Sequence, residues 1–275
     1  MELELYFKST LRMAWWEESK MKTALITGAS SGIGQAAAIE LSQKGYSLIL
    51  IARRRDRLEQ LKSKILNSTD NQNIIVECYT LDLKEQTSIK NWFQENIKNL
   101  EKVDILINCA GLARGISKVQ DSNLLDWNEM IETNINGLIT MTRLLIPNMI
   151  KKNKGHIVNL GSIAGRWSYT GGSVYCGTKH FVKAFSEALR QDLIGYNIRV
   201  TNIEPGMVNT EFSNVRLRDD KKAEEVYKGF SPLTAKDIAE IIVWSLERPQ
   251  HVNIQEMVVF PTAQVSATQV YRELP

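Results

Sequence analysis

The stretch TALITGASSGIGQAAAIELSQKG, Thr23 to Gly45, decides how the chain folds. Thr23 to Thr27 is a short apolar run of strand length. Ile33 to Gly45 repeats its apolar residues at helical spacing and ends on a glycine. Between them, Gly28, Gly32 and Gly34 stand in the pattern TGxxxGxG. Glycines there let the backbone turn tightly, and the loop N–H groups then meet a pyrophosphate at the positive end of the helix. Ser30, Ser31 and Ile33 belong to the same loop. A glycine turn also has purely structural uses. Its place directly between a first strand and a first helix favours a dinucleotide site.

The same alternation continues to the end of the chain. Further strands are expected at Ser47 to Ala52, Ile74 to Leu81, Asp104 to Asn108, His156 to Leu160, Ile198 to Glu204 and Glu256 to Phe260. Amphipathic helices separate them. The strands are continuous runs rich in Ile, Val and Leu, which predicts burial on both faces. The fold expected is α/β: a single Rossmann-type, doubly wound parallel sheet of about seven strands, flanked by helices. A long helix is expected over 127–152, kinked or broken at Pro147. Residues 207–232 break the alternation and read as a small lobe over a substrate. Residues 1–20 read as an N-terminal extension or tag, and 21–275 as one domain.

Bulk properties narrow the classes. The chain has 275 residues, 43% hydrophobic and 24% charged, with a net charge of +3. The basic residues are scattered, which argues against nucleic acid. No apolar run is long enough to span a membrane. Three separated cysteines fit a reduced, cytoplasmic setting, and the three histidines lack metal-ligand spacing, so no metal is expected.

Two further stretches carry chemistry. The second strand ends in ARRR, Ala52 to Arg55, where a dinucleotide fold meets the adenosine ribose. An acid there would bind the 2′-hydroxyl, whereas Arg53 and Arg54 suit the 2′-phosphate of NADP. The segment SVYCGTKH puts Tyr175 and Lys179 one helical turn apart on one face. A phenol serves as acid or base on an alcohol oxygen if its pKa falls toward working pH, and a neighbouring ammonium would lower it.

TGxxxGxG, Asp82-Leu83, the run NCAG at Asn108 to Gly111, Asn134, Ser162, YCGTK and Pro205-Gly206 follow one another in order. Together they resemble the short-chain dehydrogenase/reductase family across Met21 to Pro275. NLGSIAGRWSYTGGSVYCGTK, IRVTNIEPGMVNTEFSNVR and the tail from NIQEMVVFPTAQ narrow the likeness to NADP-dependent 3-hydroxy acid dehydrogenases. The resemblance implies a catalytic set of Asn134, Ser162, Tyr175 and Lys179. Lys179 would also hold the nicotinamide ribose, Ser162 the substrate oxygen, and Asn134 a proton-relaying water. Asp82, Leu83, Asn108, Ala110, Gly111, Pro205, Gly206, Val208 and Thr210 would line NADP. It implies activity on short 3-hydroxy acids or their semialdehydes (malonic semialdehyde, L-allo-threonine, serine) and a homotetramer. A broad carbonyl reductase, a 3-oxoacyl-carrier-protein reductase and a non-catalytic NADP sensor are the alternatives. Arg216 is expected to grip the substrate carboxylate, with Arg166 as its rival.

Overall fold

The computed structural model describes residues 22–69 and 73–273; the extension read at 1–20 lies outside them. Seven strands form one sheet: β1 (Thr23–Thr27), β2 (Ser47–Ala52), β3 (Val76–Thr80), β4 (Val103–Asn108), β5 (Gly155–Leu160), β6 (Ile198–Pro205) and the last, β9 (Glu256–Val259). Two short strands, β7 (Val208–Asn209) and β8 (Leu233–Thr234), pair separately in the lobe. The main order is β3-β2-β1-β4-β5-β6-β9, and every neighbouring pair is parallel. The order reverses between β1 and β4. In such a sheet the crevice beyond the carboxyl ends at the reversal receives the ligand.

The α-helices of six residues or more are α1 (Gly32–Gln43), α2 (Arg55–Ser68), α3 (Gln86–Glu95), α4 (Leu124–Ile131), α5 (Leu138–Lys152), α6 (Ser173–Asp192), α7 (Phe212–Leu217), α8 (Asp220–Glu225) and α9 (Ala235–Leu246). One face of the sheet is covered by Ala37, Ala38 and Leu41 of α1, Leu58, Leu61 and Ile65 of α2, and Ile238 and Ile242 of α9. The other is covered by Ile89 of α3, Met141 and Leu145 of α5, and Leu189 of α6. The interior strands β2, β5 and β6 are buried along their whole length, as their unbroken apolar composition requires.

Two expectations need correction. The edge strands β3 and β9 are only partly buried, because each has a neighbour on one side only. The long helix is interrupted, but not at Pro147. That proline sits inside a continuous α5, and the interruption is a π-helical turn at Glu132–Gly137. Such turns insert an extra residue into the hydrogen-bond ladder and gather at functional sites. Here the turn carries Asn134.

Candidate active site

A cavity of about 550 Å³ opens at the carboxyl ends of β1, β4, β5 and β6, where the sheet order reverses. Its size is ordinary for a small-molecule site. It runs from the glycine loop and Arg54 at one end to Tyr169, Tyr175 and Arg216 at the other.

The loop end fits a dinucleotide. Gly28 has φ +70°, and a Cβ there would stand 2.8 Å from Ala110 Cα. A Cβ on Gly34 would meet the Gly28 carbonyl at 2.6 Å, so only glycine allows α1 to start against β1. The N-cap Ser31 is extended and its side chain caps nothing, which leaves the first N–H groups of α1 for an anionic ligand. Arg54 leans over this loop. Its Nη2 donates to Ser31 Oγ at 2.7 Å and to Ser30 Oγ at 3.2 Å, while Nη1 donates to Glu211 Oε2 at 2.9 Å. Arg57 pairs with the other oxygen of Glu211. Arg53 turns the other way, toward Glu129 at 3.8 Å and Asp82 at 4.0 Å.

At the other end, Tyr175 and Lys179 leave α6 into the buried wall of the cavity. Lys179 Nζ lies 6.0 Å from the Tyr175 ring centre and donates to the Leu160 carbonyl at 2.7 Å. Burial lowers the Lys179 pKa to about 8. Burial raises that of Tyr175, the nearby Tyr169 adds to the rise, and a hydrogen bond with Ser162 and the Arg216 charge oppose it. The expected lowering of the phenol by Lys179 is therefore not the dominant effect. Desolvation exceeds it, and Tyr175 is held as the neutral acid. Ser162 begins a short turn after β5 and accepts from Ala164 N–H at 3.1 Å.

Asn134 and Asn108 do not line the cavity. The Asn134 Oδ1 accepts from Leu112 N–H at 2.9 Å, and its Nδ2 donates to Leu112 O and to Thr178 Oγ1. Its side chain thus ties the loop after β4 to α6, one layer behind Lys179. Asn108 donates to Thr142 and Asn159 within the buried layer, so the expectation that its side chain lines NADP is corrected. Arg166 is also removed as a carboxylate anchor, because it is consumed by an ion-pair cluster with Glu204 and Glu256. Arg216, by contrast, lines the cavity. Its Nε donates to Gly115 O and its Nη1 to Tyr169 OH, each at 3.0 Å, and its Nη2 is buried with no hydrogen-bond partner among the described residues. The remaining expected residues of the loop, of Asp82-Leu83, Ala110-Gly111 and Pro205 to Thr210 all line the cavity.

Several lining residues escaped the sequence reading. Tyr169 holds Arg216, Phe212 packs its ring 5.6 Å from that of Tyr175, and Thr133 buries a hydroxyl with no partner. Glu211 is the fourth. Thr133 and Glu211 had a signal, since they adjoin Asn134 and Thr210; Tyr169 and Phe212 meet the site only through folding.

Comparison with known proteins agrees with this arrangement. Residues 22–221 match the family model for short chain dehydrogenase. An NADP-dependent 3-hydroxy acid dehydrogenase of Schizosaccharomyces pombe is 45% identical over 92% of this chain and 97% of its own length. The NADP-dependent 3-hydroxy acid dehydrogenase YdfG of Escherichia coli (strain K12) is 41% identical over 87% of this chain and 95% of its own. Among solved structures, the closed form of serine dehydrogenase complexed with NADP+ superposes with a TM-score of 0.83 at 40% identity, covering 91% of this chain and all of that one. With its sheet order, glycine loop and Tyr175–Lys179 pair, this chain belongs to the short-chain dehydrogenase family.

Proposed function

We propose that this chain is an NADP-dependent dehydrogenase of short 3-hydroxy acids, such as 3-hydroxypropionate, L-allo-threonine and serine, and a reductase of the matching semialdehydes. When bound, NADP supplies or accepts the hydride. The chain's own residues handle the proton and the charges. Tyr175, kept neutral by burial, donates its proton to the carbonyl oxygen during reduction and takes it back during oxidation. Ser162 hydrogen-bonds the same oxygen and steadies its developing charge. Lys179 and the glycine loop hold the cofactor, with Arg54 beside Ser30 and Ser31 receiving the 2′-phosphate. The identities of the relatives support this reading.

The observation that carries the substrate class is Arg216, a cation on the cavity wall that no carboxylate among the described residues answers. Its hydrogen bonds go to a carbonyl and a phenol, neither of which neutralises it, and a substrate carboxylate would supply the missing counter-charge. Tyr169 holds the guanidinium in place from its other side. Arg216→Ala should raise the KM for 3-hydroxypropionate about tenfold or more, the scale of one charge-assisted hydrogen bond. The KM of an uncharged short aldehyde should hardly move. Equal changes for the two would favour a broad carbonyl reductase instead.

No helix among the described residues is long and apolar enough to cross a membrane. A cytoplasmic homotetramer fits the resemblance. Self-association of some kind is supported by the outer edge of β9, unpaired among the described residues, and by the exposed Leu124 and Leu125 on α4.

A further inference from the structure

Glu211 opens the lobe that covers the substrate end of the cavity, yet its carboxylate reaches back to the arginines at the adenosine end. One oxygen accepts from Arg54 at 2.9 Å and the other pairs with Arg57. Partial burial works against ionisation here, but the hydrogen bonds from Arg54 and Arg57 hold the Glu211 carboxyl below the usual range. The group is an anion seated on the very cations that a 2′-phosphate needs. Arg54 turns its other edge, Nε and Nη2, toward the hydroxyls of Ser30 and Ser31. Those hydroxyls and that edge converge from one side, and all of them can donate to a phosphate. A phosphate seated there would share Arg54 with a second negative charge one guanidinium away. Like charges so placed disfavour each other.

Resting on the reading of Arg54 as part of the 2′-phosphate seat, we infer that Glu211 is an internal competitor of the 2′-phosphate for Arg54 and so sets how strongly the protein prefers NADP to NAD. The residue subtracts from the affinity that the arginines supply. The side chains of Arg54 and Glu211 are 38% and 43% accessible, so solvent screens the contact and the effect is moderate.

The test uses two cofactor fragments, adenosine 2′,5′-bisphosphate and 5′-ADP, titrated by calorimetry into the wild type, Glu211→Gln and Arg54→Ala. Glu211→Gln keeps the shape and removes the charge. It should tighten the 2′,5′-bisphosphate about fivefold, the scale of one partly exposed charge contact, while 5′-ADP stays within about twofold. Arg54→Ala should abolish most of the preference for the 2′-phosphate. If Arg54→Ala behaves so but Glu211→Gln weakens the bisphosphate, or alters both fragments alike, Glu211 positions Arg54 rather than competing for it and the inference is overturned. If Arg54→Ala retains the preference, the seat lies elsewhere, and the assignment of Arg54 falls together with the inference.

Discussion

Lys179 is a cation kept in a place where its charge is disfavoured, and that cost can be measured. It is buried to 7% exposure, and burial takes its pKa from an ordinary 10.5 to about 8. At 1.36 kcal/mol per tenfold change in proton affinity, the difference amounts to about 3 kcal/mol. Between about pH 8 and 10.5 the unfolded chain keeps the lysine proton while the folded chain has released it. The unfolded state then binds more protons, so stability rises with pH through that window. Below about pH 8 both states are charged and the full penalty stands. Lys179→Met keeps the apolar stem and removes the titration. It also strands the Leu160 carbonyl, which accepts from Nζ at 2.7 Å, but that loss does not change with pH. Urea unfolding of the cofactor-free wild type and Lys179→Met, at equal protein concentration, should therefore give two curves of different slope against pH. From pH 7 to 9.5 the wild type should gain about 2 kcal/mol relative to the variant. Activity should be lost in the variant. Parallel curves over that range would refute the claim that Lys179 is held charged against desolvation.

Other outcomes follow from the same site and core. Tyr175→Phe keeps the ring contact with Phe212 but removes the proton; turnover should fall at least about a hundredfold while NADPH binding, read by nucleotide fluorescence, is retained. His156 is buried in β5, where burial and then the nearby Arg199 hold its pKa well below 6.5. The unfolded chain takes up that proton first, so stability should fall as pH drops below about 6.5, and His156→Gln should flatten this part of the acid limb in thermal melts.

How much of this could be read from the sequence depended on distance along the chain. The interior strands declared themselves because both faces are buried and the apolar runs are unbroken. The edges were misjudged because Glu77 of β3 and Glu256 of β9 reflect position in the sheet, which topology assigns and local composition does not. Pro147 looked like a breaker, yet α5 passes through it. The true irregularity at Glu132–Gly137 has no glycine or proline signal in its first half. At the site, Gly28, Gly34, Tyr175 and Lys179 were legible because their spacing is local. Glu211 was not, since its partners Arg54 and Arg57 lie more than 150 positions away. Arg166 was the rival of Arg216 until folding gave it Glu204 and Glu256 and left Arg216 on the cavity wall with no carboxylate partner among the described residues.

The contrast between those two arginines shows how the molecule separates stability from function. Arg166 has its charge answered internally by two carboxylates, one of them on the fully buried Glu204, and nothing remains for a ligand. Arg216 is positioned by a backbone carbonyl and a phenol, neither of which neutralises it. Its charge helps restrain the pKa of Tyr175 and leaves one nitrogen unanswered. Lys179 follows the same rule, bonded to a carbonyl rather than to an acid. Two cations without carboxylates therefore flank a neutral phenol in a buried cavity. That arrangement leaves two positive charges unanswered by acids, and it is complementary to an anionic substrate whose oxygen gains negative charge during reduction.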